Sequence, residues 1–211
     1  MSKVTTKTDV RFSYINLLVP RVQNEGEPPT FSTAILIPKS DTETITAIKA
    51  AIAEALTDGL AKLWGGKKPS NLRNPLRDGD KDRPEDEVYA GHYFLNAKGP
   101  RGGKEQPILL DSASKETTSG SVIYSGVNAR VSLQFYPYDK SGNRGVACGV
   151  SAVLSSGRGE ALGNTVTAES ARDEFGVTSP AGSAKDEFEG KGAASSESES
   201  EGDSDDDVWG N

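Results

Sequence analysis

Cysteine, histidine and methionine each occur once in this chain of 211 residues. A lone Cys148 cannot close an intrachain disulfide. One thiol and one imidazole, His92, cannot supply the four-ligand set of a structural zinc site. The same shortage leaves little material for catalysis. His92 stands in a strand-like run beside Phe94, where a structural role fits best. No serine or cysteine has a recognisable base partner, and nothing singles out a carboxylate pair. The chain therefore reads as a non-enzyme with no cofactor and no metal. Long apolar runs are missing as well. No stretch approaches the roughly 20 residues that span a bilayer, and the start, MSKVTTKTDV, has no apolar signal region. A soluble, intracellular protein is the expectation. Hydrophobic residues make up only 34%, low for a chain folded throughout, so part of it should be unfolded.

Charge is abundant but segregated. Of 24 basic and 31 acidic residues, the segment 186–211 holds one base and ten acids, a net −9; the remaining 23 bases and 21 acids leave residues 1–185 at +2. A mildly basic body thus carries an acidic appendage. From about residue 156 the chain turns to Gly, Ser, Ala, Thr and acids, with Phe175, Phe188 and Trp209 standing alone. Such a stretch buries too little apolar surface to offset chain entropy. The organisation read from this is a folded domain over 1–155, a flexible linker over 156–185 and a disordered acidic tail over 186–211.

Within the body, residues 9–19 and 30–37 are rich in β-branched and aromatic residues and stop at Pro20 and Pro38, which predicts two strands. Ser40 and Glu43 have the spacing of a capping box. Ile45, Ile48, Ile52, Leu56 and Leu60 recur every three or four residues, predicting a helix that ends near Trp64. Residues 65–87, interrupted by Pro69, Pro75 and Pro84, read as a polar loop. Strands are expected at 88–96, 122–136 and 145–154, the last two joined as a hairpin through Asp139–Asn143. This is a mainly β chain with one helix after the second strand. A five-stranded OB-type barrel fits, and an α+β sandwich is also compatible.

In RVSLQFYPYD, alternation puts Val131, Leu133 and Phe135 on one face and Arg130, Ser132, Gln134, Tyr136 and Tyr138 on the other. An exposed face of tyrosines and cations suits a single nucleic-acid strand, because bases stack on rings and cations follow phosphates. Tyr89 and Tyr93 are expected to share a second strand face, opposite His92 and Phe94. Basic residues gather in loops: Lys67, Lys68, Arg101, Lys104 and Arg144. The segment Gly99–Gly103 lets backbone approach a phosphate but lacks the GxxxxGK[ST] pattern. The acidic run 78–87 begins like a calcium loop. It has Arg83 where glycine is needed and Tyr89 where a bidentate glutamate is needed, which excludes an EF-hand and leaves a solvated loop. At the far end, Asp205, Asp206, Asp207, Val208 and Trp209 combine an aspartate run with apolar anchors for partner proteins.

Several segments carry a family likeness: Ser13-Tyr14-Ile15-Asn16, Leu36-Ile37-Pro38-Lys39-Ser40-Asp41, Trp64-Gly65-Gly66, Pro75-Leu76-Arg77-Asp78-Gly79-Asp80, Tyr89 to Ala97, Tyr124-Ser125-Gly126, Phe135-Tyr136-Pro137-Tyr138 and Gly145-Val146-Ala147-Cys148-Gly149. On these the chain resembles a family of bacteriophage single-stranded DNA-binding proteins, an OB-type barrel with an acidic C-terminus. The resemblance implies a single-stranded DNA partner and work in phage replication, recombination or repair. The tail residues are expected to meet replication proteins, the expected place is the cytoplasm of the infected host, and both a monomer and a homodimer are compatible with the sequence. One departure is that Trp209 is followed by Gly210-Asn211, whereas the better-known tails end on the aromatic. The rival class is a structural or interaction protein, a virion component or an acidic DNA mimic, using the tail and the 78–87 loop as its surface.

Overall fold

The computed structural model describes residues 2–23, 25–140 and 142–163. The tail over 186–211 and its terminal anchor lie outside the described residues, as does most of 156–185.

Among the described residues nine strands make one sheet: β1 (Ser2–Thr5), β2 (Val10–Arg21), β3 (Thr30–Pro38), β4 (Leu72–Arg73), β5 (Leu76–Asp78), β6 (His92–Lys98), β7 (Ile108–Leu110), β8 (Asn128–Lys140) and β9 (Asn143–Arg158). Five are long, and they close on themselves. β2 pairs with β3, β3 with β6, β6 with β9, β9 with β8, and β8 returns to β2 through Val10↔Ala129 and Arg11↔Asn128. All of these contacts are antiparallel except β6–β9, joined in parallel at Ala97↔Cys148 and Lys98↔Gly149. Closure removes the open edges that a flat sheet would expose. The result is a strand-rich OB-type barrel, in agreement with the fold class expected from the sequence.

Inward residues alternate along each strand. Phe12, Ile35, Ile37, Leu95, Val131, Leu133, Phe135, Cys148 and Val150 fill one core and are almost wholly excluded from solvent. Full burial of such side chains contributes about 1.5–3 kcal/mol each. One end of the barrel is closed by α1 (Thr42–Lys62), which presents Ile45, Ile48, Ala51, Ile52, Ala55 and Gly59. The small residues permit close approach. Gly59 is obligatory, since a Cβ there would stand 2.6 Å from the ring of Trp64 and 2.8 Å from Pro137.

Several local expectations change. The N-cap of α1 is Asp41, whose carboxylate accepts from Thr44 N–H at 3.1 Å. Ser40 is not the cap, and Glu43 is drawn to Lys7. Leu56 and Leu60 are only half-buried. The helix ends at Lys62, where Trp64 folds back to donate its N–H to Gly59 O at 2.9 Å. β2 runs through Pro20 to Arg21 because beyond Asn16 it pairs with β3 on one side only, so the missing N–H costs no ladder bond.

The loop expected over 65–87 contains β4, β5 and a helical turn at Gly79–Asp82. Its strands form on distant partners, β4 on β9 and β5 on β6, which no local pattern announces. The strand expected at 88–96 begins at His92, because Glu87–Tyr89 is a 3-10 turn capped by Asp86. The strand expected at 122–136 begins at Asn128, after turns anchored on Ser119. Pairing in the final hairpin runs from Lys140↔Asn143 to Asn128↔Arg158, longer than the expected 145–154. β1 and β7 had no signal.

Candidate nucleic-acid interface

Residues on the face away from the main core line up in register across neighbouring strands, Ser32 among them buried beneath Gln23. Asn16 lies opposite Ser32, Ser32 opposite Lys98, Lys98 opposite Gly149, Gly149 opposite Gln134, and Gln134 opposite Lys3. Strands sit about 4.8 Å apart, so this row runs roughly 24 Å around the barrel. Two clefts flank it.

The first cleft, about 330 Å³, is lined by Gly99, Pro100, Arg101, Gly102, Gln134, Tyr136, Gly149, Val150 and Ser151. Tyr136 is half-buried, and burial pushes its phenol above the ordinary value. Its ring rests near Gly149, where a Cβ would be 3.5 Å from Cε1. The opposite wall is a tight turn. Arg101, Gly102 and Gly103 all have positive φ, at 51°, 72° and 91°. Such a run needs glycine at most positions and holds Arg101 at the rim. Arg101 pairs with Glu105 at 3.1 Å, but its side chain is 78% exposed, so the pair contributes at most about 1 kcal/mol and a phosphate can replace it.

The second cleft, about 270 Å³, is lined by Tyr14, Asn16, Gln23, Ser32, Thr33, Ala34, Arg83, Asn96, Ala97 and Lys98. Lys98 belongs to this cleft, and its partner Gly149 belongs to the other. Among the described residues no carboxylate lines either one. Lys3, Lys98, Lys104 and Arg130 are exposed and have no acidic partner among the described residues. The face is therefore cationic and amide-rich, with an aromatic ring in each cleft.

Of the residues expected from sequence, Tyr136 and Arg101 meet in one cleft, with Lys104 just beyond the same turn. Tyr138 is half-buried two residues along the same strand face, opposite Gly145. Arg130 is exposed on β8. Lys67, Lys68 and Arg144 line neither cleft; Arg144 Nε donates to Asp139 at 2.7 Å.

Two expectations are corrected. Tyr89 is not on a strand and is 1% exposed. It packs edge-on to Phe94, with centroids 5.0 Å apart, under the guanidinium of Arg83 at 4.7 Å. It closes a small core with Leu36, so its ring cannot receive a base. Tyr93 therefore does not share a face with it. Tyr93 leans on the main core between Lys39, at 5.2 Å, and Lys49, at 5.7 Å.

Four of the six acids of the 78–87 loop are engaged. Asp78 and Asp80 bind Lys39 at 2.6 Å, Asp82 binds Arg77, and Asp86 faces Arg83. Among the described residues no cluster of metal-ligating side chains forms, and no helix is long and apolar enough to cross a membrane.

Sequence reasoning overlooked Tyr14, Asn16, Arg83, Asn96 and Lys98. Tyr14 and Asn16 sit in a segment that carried family likeness, and Arg83 was hidden among acids. The period-two alternation of His92–Lys98 was a usable signal for Asn96 and Lys98.

A five-stranded barrel whose outer face joins ring-bearing, cationic clefts falls in the class of OB-type nucleic-acid-binding barrels. Over residues 2–189 the chain matches the family described as Enterobacter phage Enc34, ssDNA-binding protein, and it belongs to that family. A protein named p50, from Acyrthosiphon pisum secondary endosymbiont phage 1, is 31% identical over 156 residues, covering 69% of this chain and 77% of the relative. Among solved structures, the single-stranded DNA-binding protein of bacteriophage Enc34 in complex with ssDNA is 26% identical. Its TM-score is 0.62, over 76% of this chain and 88% of that one. The single-stranded DNA-binding protein gp2.5 of bacteriophage T7 shares the fold, with 15% identity and a TM-score of 0.52 over 88% and 99%.

Proposed function

We propose that this chain binds single-stranded DNA with little regard to sequence and serves phage replication, recombination or repair in the host cytoplasm. One observation carries the reading: the register Ser32–Lys98–Gly149–Gln134 joins two ring-bearing clefts that, among the described residues, contain cations and no carboxylate. Tyr136 stacks a base, with Tyr138 beside it. Arg101, Lys104, Lys98 and Arg130 take phosphates. Lys67, Lys68 and Arg144 guide the strand beyond the barrel face.

Family membership supports the reading, as does the likeness to the Enc34 protein solved in complex with ssDNA. The body, which β9 carries on to Arg158, holds the DNA; the rest of the segment 156–185 tethers the acidic residues 186–211. That tail competes with phosphates at high effective concentration. Once displaced, it offers Asp205, Asp206, Asp207, Val208 and Trp209 to replication proteins. The protein works as a monomer or homodimer. The rival use of the 78–87 loop as an acidic binding surface is disfavoured, because four of its six carboxylates are paired with Lys39, Arg77 and Arg83, leaving only Glu85 and Glu87.

The test is a fluorescence-anisotropy titration with oligo-dT at low salt, beside duplex DNA, on the full chain and on a chain ending at residue 185. Binding by both is expected, tighter for the shorter. No binding by either overturns the proposal.

A further inference from the structure

Among the described residues only three non-glycines have positive φ: Tyr14 at 47°, Arg101 at 51° and Ser114 at 61°. Two of the three stand one in each cleft of the outer face. A bulky residue in this region is strained by about 1–2 kcal/mol, and such strain persists where the surroundings impose it and function exploits it.

At Tyr14 the cause is visible. The β2–β3 register slips between Ser13 and Asn16, a bulge that turns the side chain outward. The ring is left 56% exposed, although the flanking Ser13 is buried. Arg83 covers part of it, its guanidinium 5.4 Å from the centroid. That cation is itself pinned, 4.7 Å from Tyr89 and 5.9 Å from Phe94, and is faced by Asp86 at 3.7 Å. Beside the ring, the Asn16 amide donates to Tyr14 O at 3.1 Å, which leaves its carbonyl oxygen as an acceptor. Asn96 is exposed in the same cleft, with a complete amide to offer.

From this geometry we infer a second base-binding subsite: Tyr14, backed by Arg83, stacks one nucleobase, and the amides of Asn96 and Asn16 hydrogen-bond its edge. The inference rests on the proposed single-strand binding and adds to it. The barrel takes one base at each end of the Lys98–Gly149 seam, and the Tyr14 end discriminates among bases where the Tyr136 end only stacks. The strain then has a purpose: a relaxed β2 would turn the ring away from the cleft.

The experiment uses the full chain and oligo-dT carrying 5-iododeoxyuridine. Irradiation should give peptide adducts at Tyr14 as well as Tyr136. Tyr14→Gly relieves the positive φ, so it should melt no lower than the parent while losing about 5- to 150-fold in affinity, the worth of one stacked base. Tyr14→Phe should stay within about twofold. The affinity ratio between oligo-dC and oligo-dT should differ from one by about threefold or more and move toward one in Asn96→Ala.

Adducts confined to Tyr136, or parental affinity in Tyr14→Gly, would overturn the subsite. A ratio of one in the parent protein would overturn its base discrimination. Failure of the parent chain to bind any oligonucleotide is a different result, and it removes the function proposed above.

Discussion

A Cβ built on Gly149 would lie 3.5 Å from Cε1 of Tyr136, so that ring shares the floor of its cleft with bare backbone. Ordinary van der Waals contact is all that an alanine would make, so Gly149→Ala should bind oligo-dT nearly as the parent does. A leucine would fill the space that a base needs. Gly149→Leu should lose roughly 5- to 150-fold in affinity, the worth of one stacked base, with a small change in melting temperature. Parental affinity for the leucine variant would show that this cleft holds no base.

Tyr89 and Tyr136 should behave oppositely. Tyr89 is buried against Phe94 and Leu36, and truncating a buried aromatic costs about 3–5 kcal/mol. Tyr89→Ala should therefore be strongly destabilised in a urea melt. The double variant Tyr136→Ala with Tyr138→Ala removes half-buried rings from the outer face. It should weaken DNA binding while lowering the melting temperature only modestly. If that pair unfolds the protein, the two rings are core.

Asp41 supplies the acid-sensitive point of α1. Burial pushes its carboxyl up, but hydrogen bonds from Thr8 and Thr44 outweigh this and leave it below its ordinary value. The unfolded residue takes up its proton near pH 3.9, the folded one only at lower pH. Its contribution is therefore complete above about pH 4 and is lost as pH falls through the folded value, because the unfolded chain binds more protons in that window. Asp41→Ala should cost about 0.5–2 kcal/mol at pH 7, the usual worth of an N-cap. The gap between variant and parent should narrow as pH falls below about 4 in thermal melts. A gap independent of pH would mean the carboxylate is not what stabilises the helix end.

Salt and the acidic segment should act on the same surface. Affinity for oligo-dT should fall with salt at a log–log slope of about −0.7 per neutralised phosphate. Deleting residues 186–211 should raise affinity most at low salt, because an internal competitor has gone. Identical curves for the two chains across a salt series would dismiss the competition.

Much of the barrel was legible locally. The alternation in β8 placed Val131, Leu133 and Phe135 inside and Arg130 outside, as found. The isoleucines of α1 reported its inner face, although Ala51, Ala55 and Gly59 complete it. The turn at 139–143 marked the hairpin. Tyr89 was misread because four-residue spacing from Tyr93 implies a shared strand face only if the strand extends that far. Asp86 instead caps a 3-10 turn and folds the ring inward. Tyr14 escaped because a bulge breaks the alternation at that residue.

By itself the chain determined most of the side chains that enter the core from regular strands and from the helix, and where charge collects, since both follow from periodicity and composition over a few neighbouring residues. Tertiary structure alone decided which distant residues share a groove. Tyr14 meets Arg83, and Tyr136 meets Arg101. The parallel β6–β9 seam then sets Lys98 against Gly149 between the two clefts. Barrel closure creates these juxtapositions, and its register is settled by packing among strands remote in sequence rather than by any segment's own pattern.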